Sequence, residues 1–273
     1  MGNLVSSATF QPPRAQSETS FVATDFVRTS AGNSIPVYYQ EAAAPDRPVI
    51  LACHGNADDV DGFVSIVGIG LLNQLADDGV GLYVFEYPGY TGTTGDARQR
   101  TVYAAALSAY DDLVEKRGVD ARRIIVYGKS LGSAVATYIV AQRASARTLV
   151  LVSPLMSVFR VALGNLGVTL PGDIMTTIDY IGRIGATTSV SIVHGAADEV
   201  IAPVHAQRLY EAAVAVSPNN THDILWIARG KHNFELTELP AVGSDSTRVL
   251  SADFEQLTAH IHTVVIPSMP PVV

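Results

Sequence analysis

Short apolar runs alternate with longer segments of helical periodicity along most of the chain. The runs are rich in Val, Ile and Leu, and the segments between them repeat apolar residues every three or four positions. This pattern predicts eight strands, at residues 21–27, 35–40, 49–53, 82–86, 124–127, 149–152, 190–193 and 224–228. It also predicts five helices, at residues 63–76, 102–116, 131–142, 203–214 and 251–264.

The order of these elements indicates the α/β class. The first two strands have the pattern of an antiparallel hairpin around Ala31-Gly32-Asn33. Strand and helix then alternate, which is typical of a mostly parallel sheet with helices on both faces. The later strands are apolar throughout, as strands buried on both faces should be. We therefore expect a central sheet of about eight strands.

The domain organisation follows from length and local composition. The chain has 273 residues, 48% of them hydrophobic, which is enough for one large core. We expect one domain over residues 21–265, a flexible tether at 1–20 and a flexible, proline-containing tail at 266–273. Residues 153–188 interrupt the alternation and predict a small cap. A segment of about 35 residues is too short for a deep lid, so an open site is expected.

Charge and cysteine content exclude several classes of protein. The formal net charge is −8 and no dense run of Lys or Arg occurs, which argues against a nucleic-acid partner. The single cysteine, Cys53, excludes an intrachain disulfide and favours a reducing compartment. No apolar stretch approaches the roughly 18 to 20 residues of a membrane span, and the N-terminus lacks the features of a secretory signal. A cytoplasmic location is the expectation.

The first six residues fit the pattern for N-myristoylation of Gly2 after removal of Met1. The alternative is an ordinary N-terminus, because the pattern fixes only Gly2 and Ser6. One myristoyl chain binds membranes weakly and reversibly, with an association constant on the order of 10⁴ M⁻¹. A second, basic signal is lacking, since Arg14 is the only cation before Arg28. We expect weak peripheral association with the cytosolic face of a membrane.

The segment Gly128-Lys129-Ser130-Leu131-Gly132 matches the G-x-S-x-G pattern of a nucleophile elbow. A serine hydroxyl is a poor nucleophile unless a tight turn presents it beside a base, and glycines permit that turn. The pattern alone is unspecific. Its context strengthens it, because an apolar strand precedes it and a helical pattern follows. Ser130 is the candidate nucleophile.

The acid and the base should follow two later strands, in the chain order Ser, Asp, His. Asp198 follows the strand at 190–193, with the adjacent Glu199 as a competitor. His232 follows the strand at 224–228 and has the position of the base. Position relative to the predicted strands and helices excludes four other histidines, which are expected to be surface or packing residues: His205, His222, His260 and His262.

Two backbone N–H groups are expected to stabilise the oxyanion that forms during attack. One belongs to Leu131, at the start of the helix after the nucleophile. The other is assigned to Asn56 in the segment His54-Gly55-Asn56-Ala57, where the His54 imidazole is expected to brace the loop. Such a site requires no metal and no organic cofactor, and neither H-E-x-x-H nor paired cysteines occur.

Together these motifs resemble the α/β-hydrolase domain-containing protein 17 group, which includes membrane-anchored protein depalmitoylases and related Bem-type hydrolases. The resemblance runs from about Val49 to Glu235 and rests on six segments in order, HGNA, FEYPGY, YGKSLG, SPLMS, HGAADEVI and GKHN. It implies the α/β-hydrolase fold, catalytic roles for Ser130, Asp198 and His232, and hydrolysis of a fatty acyl thioester on a protein cysteine. It also aligns His205 with a histidine outside the triad.

Two departures from the group limit what the resemblance implies. The N-terminal cysteine cluster through which the depalmitoylases are anchored is missing, and Thr91 stands where the group usually has Gly. An acyl-protein thioesterase is the first functional hypothesis. Alternatives are a carboxylesterase or lipase on small acyl esters, a serine peptidase of the prolyl-oligopeptidase type, and a membrane-tethered binding scaffold without catalysis. The expected partner is an acylated protein or a small acyl ester.

Overall fold

The computed structural model describes residues 9–13, 23–163, 169–238, 248–267 and 269. Ten strands lie in these ranges: β1 Asp25–Arg28, β2 Ser34–Gln40, β3 Val49–Cys53, β4 Gly81–Phe85, β5 Ile124–Lys129, β6 Thr148–Val152, β7 Ser189–Gly195, β8 His222–Ile227, β9 Leu236–Glu238 and β10 Arg248–Leu250. The α-helices in the same ranges are α1 Val60–Phe63, α2 Ile69–Gln74, α3 Gln99–Asp111, α4 Leu131–Gln142, α5 Val158–Ala162, α6 Thr177–Ile181, α7 Val204–Val216 and α8 Ala252–His260.

Strands β1 to β8 form one sheet in the order β1-β2-β4-β3-β5-β6-β7-β8. Strand β2 runs antiparallel to both of its neighbours, and the strands from β4 to β8 pair in parallel. Parallel strands end at the same edge, so the loops after β3, β5, β7 and β8 share one rim of the sheet. The predicted sheet of about eight mostly parallel strands is confirmed.

Two apolar layers cover the sheet, as the continuous hydrophobic strands require. Along β3 the side chains alternate between the layers: Leu51 packs into one, and Ile50 and Ala52 pack into the other. Helices α3, α4 and α7 contribute to the first layer, whereas α1, α2 and α8 contribute to the second. The helices on both faces therefore bury the strands that carry the functional loops.

Several elements differ from the predicted bounds. The helix expected at 63–76 is interrupted by a π-helical turn over Val64–Gly68, and π-helical turns also extend α3 and α8. Residues 153–188, the predicted cap, contain the short helices α5 and α6 in their described part. The β9–β10 hairpin was not anticipated, because its strands have only three residues each.

Parts of both termini pack against the domain. Within the stretch expected to be a tether, Thr9 and Phe10 are buried, and Phe10 exposes 4% of its surface. In the expected tail, Met269 exposes 7% and joins the second apolar layer. Gly2 lies outside the described residues. Within the described ranges, no helix combines the length and the apolar character that a membrane span requires.

Candidate active site

Ser130 lies on the turn between β5 and α4, at the shared rim. Its backbone has φ 50° and ψ −119°, a conformation that costs a non-glycine residue strain energy and persists only where the surroundings fix it. The N–H of Ser130 donates to the carbonyl oxygen of Val152 at 2.9 Å, which ties the turn to the end of β6. The turn therefore presents the Ser130 hydroxyl beyond the sheet.

The two glycines of the elbow are required by close packing. A Cβ on Gly128 would lie 2.7 Å from the Cβ of Ala136 on α4. A Cβ on Gly132 would lie 2.5 Å from the carbonyl oxygen of His54 and closer still to that of Cys53. Helix α4 can thus approach the end of β3 only because position 132 has no side chain, and this contact sets Ser130 beside the loop that follows β3.

Replacing Gly132 with Ala is expected to destabilise the protein and to lower its activity. The clash is with backbone carbonyls, which cannot rotate away, so we expect a loss of about 1–3 kcal/mol in the free energy of unfolding. Urea denaturation and ester hydrolysis measure the two effects. The matched control is Gly182→Ala, where the new Cβ has no neighbour closer than 3.7 Å and the stability should change by less than about 0.5 kcal/mol. Equal stability of the two variants would contradict the packing argument.

A second close approach brings the acid and the base together. Gly195 ends β7, and a Cβ there would collide with the backbone of Gly230 and Lys231. The N–H of Ala196 donates to the carbonyl oxygen of Ile227, and that of Ala197 donates to Gly230 O, both at 2.9 Å. The loops after β7 and β8 are therefore joined by backbone hydrogen bonds.

Ser130, His232 and Asp198 form a continuous chain of hydrogen-bonding groups. Nε2 of His232 lies 3.0 Å from the Ser130 hydroxyl oxygen, and its Nδ1 lies 2.9 Å from Oδ2 of Asp198. The Asp198 side chain is buried, whereas 13% of the His232 side chain is exposed and Ser130 is partly exposed. A substrate can reach the hydroxyl, while water is kept from the carboxylate.

Asp198 is held as a carboxylate. Its Oδ1 accepts hydrogen bonds from the N–H groups of Val200 at 2.9 Å and Ile201 at 2.8 Å, which leaves Oδ2 for His232. Burial raises the pKa of Asp198, but the hydrogen bonds from His232 and the backbone outweigh it, so that the pKa is lowered overall. Because Oδ2 accepts, the Nδ1 atom of His232 carries a proton and Nε2 faces Ser130 as a base. The adjacent Glu199 is exposed.

The loop that carries His232 has two further supports. The Ser153 hydroxyl, at the start of the cap segment, donates to the carbonyl oxygen of His232 at 3.1 Å. The Lys129 ammonium, next to the nucleophile, forms an ion pair with Glu235, and both side chains are at least nine-tenths buried. The base is therefore tied to the elbow and to the beginning of the cap.

The other histidines near the rim have structural partners. His54 contacts Glu86 at 3.0 Å and the carbonyl oxygen of Gly55 at 2.9 Å. Burial lowers the pKa of His54, but the charge and hydrogen bond of Glu86, together with Asp58 and the Gly55 carbonyl, outweigh burial and raise this pKa overall. His205 accepts from the Met156 N–H at 3.0 Å, and burial lowers its pKa to about 4. These contacts agree with the expected bracing and packing roles.

A second cluster contains the same three residue types but lacks the same order of contacts. Ser191, His260 and Asp223 meet near the beginnings of β7 and β8, at the opposite ends of these strands from the rim that carries Ser130. The hydroxyl of Ser191 and Oδ1 of Asp223 both lie 2.7 Å from the same nitrogen, Nε2 of His260. A triad needs separate nitrogens for the nucleophile and the acid, so this cluster is a hydrogen-bonding junction.

The residues predicted to supply the oxyanion donors are near Ser130. Leu131 is the first residue of α4, so its N–H has no acceptor within the helix. Asn56 is in the loop after β3, and this loop is next to the nucleophile because a Cβ on Gly55 would lie 3.9 Å from that of Ser130. The sequence did not indicate that the Asn56 side chain binds the backbone of residues 9–11. The feature of the sequence that could have indicated this contact is Phe10, an aromatic residue isolated in a polar segment.

Comparisons with known proteins agree with this fold. The sequence profile of the α/β-hydrolase fold family matches residues 48–222. The mouse alpha/beta hydrolase domain-containing protein 17C is 32% identical over 220 residues, which cover 80% of this chain and 65% of the mouse protein. The human protein 17B is 32% identical over 207 residues, covering 76% of this chain and 67% of its own length. The aligned part of the chain thus spans just under two thirds of the mouse protein.

Solved structures share the fold at low sequence identity. An esterase of Pyrococcus furiosus, Pf2001, superimposes with a TM-score of 0.72 over 96% of this chain and 99% of its own, at 13% identity. The Est1E protein of Butyrivibrio proteoclasticus, solved with ferulic acid, superimposes with a TM-score of 0.67 over 90% of this chain and 99% of its own, at 15% identity. These likenesses establish the architecture.

Proposed function

Since this chain belongs to the α/β-hydrolase family, we propose that it is a serine hydrolase that cleaves acyl thioesters of proteins through an acyl-serine intermediate. The observation that carries the proposal is the hydrogen-bonded chain from Ser130 through His232 to the buried Asp198. In this chain each ring nitrogen of His232 has one partner, so a proton can be taken from the hydroxyl while the carboxylate stabilises the imidazolium.

The reaction proceeds in two halves. As the Ser130 oxygen attacks the acyl carbon, its proton passes to Nε2 of His232, and the N–H groups of Leu131 and Asn56 receive the oxyanion. The intermediate collapses with loss of the thiolate, which takes the proton from His232. Water then gives a proton to His232 and attacks the acyl-Ser130 ester. Collapse releases the fatty acid and returns the proton to the serine oxygen.

An acylated protein is favoured as the substrate by three observations. The resemblance to the domain-containing protein 17 group implies depalmitoylation, and the relatives named above are members of that group. The described cap helices are only five residues long, so a bulky substrate meets a small obstruction. Val200, whose N–H bonds Asp198, exposes 59% of its surface beside the site and offers an apolar contact.

The test compares acyl carriers and chain lengths. Purified protein is incubated with an S-palmitoylated peptide, its S-acetyl analogue and p-nitrophenyl esters of two to sixteen carbons, with Ser130→Ala in parallel. We expect a higher kcat/KM on the palmitoyl thioester than on any p-nitrophenyl ester. A preference for short esters would instead identify a carboxylesterase.

A fluorophosphonate probe distinguishes an enzyme from a binding scaffold. The probe reacts with an activated serine, and we expect labelling of Ser130 in the folded protein. Folded protein that resists the probe and hydrolyses none of the substrates would contradict the proposed function and would favour a scaffold role.

Membrane association through Gly2 is part of the same proposal. When the chain is co-expressed with an N-myristoyltransferase, we expect incorporation of alkyne-myristate and weak co-flotation with lipid vesicles, on the order of 10⁴ M⁻¹. Gly2→Ala should abolish both, whereas Val5→Ala, at an unrestricted position of the pattern, should change neither. Equal flotation of the parent and Gly2→Ala would contradict the lipid anchor.

A further inference from the structure

Residues 9–11 are bound to the side chain of Asn56 in the loop after β3. The Asn56 amide nitrogen donates to the carbonyl oxygen of Thr9 at 2.7 Å. Its amide oxygen accepts from the N–H of Gln11 at 2.9 Å. The side-chain amide thus pairs with the backbone on both sides of Phe10, as the N–H and C=O of one residue do in a parallel strand pair.

The burial of Phe10 and one further hydrogen bond support this arrangement. The side chain between the two hydrogen bonds, Phe10, is buried in the same apolar cluster as Tyr87, Tyr90 and Leu131. The Tyr90 hydroxyl donates to the Asn56 amide oxygen at 2.8 Å. The Asn56 side chain is therefore held by the N-terminal segment and by the loop after β4, with both of its polar atoms satisfied.

The loop that carries Asn56 needs such support. It contains Gly55, which has no side chain to restrict its backbone and which passes next to Ser130. An oxyanion donor is effective only when it is oriented before the charge develops. Contacts that fix the Asn56 side chain also fix its own N–H, because the two are separated by only a few bonds.

We infer that residues 9–11 are a positioning element of the active site, which orients the Asn56 N–H through the Asn56 side chain. The inference rests on the proposed serine-hydrolase chemistry and adds a segment that lies 119 residues before the nucleophile in the chain. Loss of an entire oxyanion donor costs about 100- to 1,000-fold in kcat. A donor that is present but less well oriented should lower kcat by less, about tenfold. KM should change little, because the donor stabilises a charge that develops only in the transition state.

The test removes one hydrogen atom from the contact. Gln11→Pro deletes the N–H that donates to Asn56, whereas the matched control Gln11→Ala keeps it. Asn56→Ala, a second variant, removes the side-chain contact and leaves its own backbone N–H in place. For each full-length variant, p-nitrophenyl butyrate hydrolysis gives kcat and KM, and fluorophosphonate titration gives the concentration of active sites.

We expect kcat per titrated site to fall about tenfold in Gln11→Pro and in Asn56→Ala, and to stay within about twofold of the parent in Gln11→Ala. The double variant should be no slower than either single variant, since both break the same contact. The pH dependence of kcat/KM should be unchanged, because the segment does not touch His232.

Three results would overturn the inference. In the first, kcat per site is unchanged in Gln11→Pro and Asn56→Ala. In the second, kcat rises, in which case residues 9–11 obstruct the site. In the third, the loss of rate is accounted for by fewer titratable sites, which assigns the contact a role in folding alone. A parent protein that resists the probe and hydrolyses no substrate contradicts the proposed function itself, so the two failures are distinguishable.

Discussion

Replacing Ser130 with alanine is expected to reduce kcat by about 10⁵- to 10⁶-fold and to abolish fluorophosphonate labelling. The oxygen of this hydroxyl forms the acyl bond, and it lies 3.0 Å from Nε2 of His232. Alanine keeps the backbone conformation of the turn and loses one hydrogen bond, so the midpoint of urea unfolding should change little. The residual rate above the uncatalysed reaction would come from the oxyanion donors and substrate binding.

The control for this experiment is Ser191→Ala. Ser191 also contacts a histidine and an aspartate, yet near the opposite edge of the sheet and through a single ring nitrogen. Hydrolysis and labelling by Ser191→Ala should therefore equal those of the parent. Retention of activity in Ser130→Ala, or its loss in Ser191→Ala, would show that the nucleophile has been assigned to the wrong serine.

Replacing Asp198 with Asn is expected to lower kcat by about 10⁴-fold with little structural change. The Oδ1 position accepts two backbone N–H groups, from Val200 and Ile201, so an Asn side chain must place its oxygen there. Its NH₂ group then faces Nδ1 of His232, and Nδ1 must accept a hydrogen bond from it. The proton of the neutral ring moves to Nε2 and points at Ser130, and the histidine can no longer act as a base.

The measurement is kcat/KM on the best ester substrate from pH 6 to 9, with Glu199→Gln as the control. Glu199 is adjacent in sequence but exposed, and its replacement should leave the rate within about twofold. If Asp198→Asn changes kcat/KM little and Glu199→Gln lowers it strongly, the acid of the triad is Glu199 and not Asp198.

Much of this site was predictable because each functional group follows a strand whose apolar character is unambiguous. The strands before Ser130, Asp198 and His232 are buried or end in buried residues, and in a parallel sheet their ends coincide at one rim. Chain order and position relative to the predicted elements then separated Asp198 from most other carboxylates and His232 from five of the six other histidines. The structure places these three side chains within hydrogen-bonding distance.

The remaining features were hidden because they depend on single contacts rather than on periodicity. Nothing in the pattern pairs the Asn56 side chain with a backbone segment more than forty positions earlier. The π-helical turn at Val64–Gly68 leaves the helical spacing of apolar residues nearly intact, so the break is invisible in the sequence. Three-residue strands such as those of β9 and β10 are too short to show alternation.

The hydrogen bond from Ser153 to the His232 backbone has a consequence for altering substrate preference. The segment predicted to cover the site begins with Ser153, the residue that also supports the loop of the general base. Access to the site and orientation of the base would therefore depend on the same residue. A different cap segment introduced into this protein should therefore be joined after Ser153 and before β7. A junction placed one residue earlier would change which molecules enter and would also release the base from one of its supports.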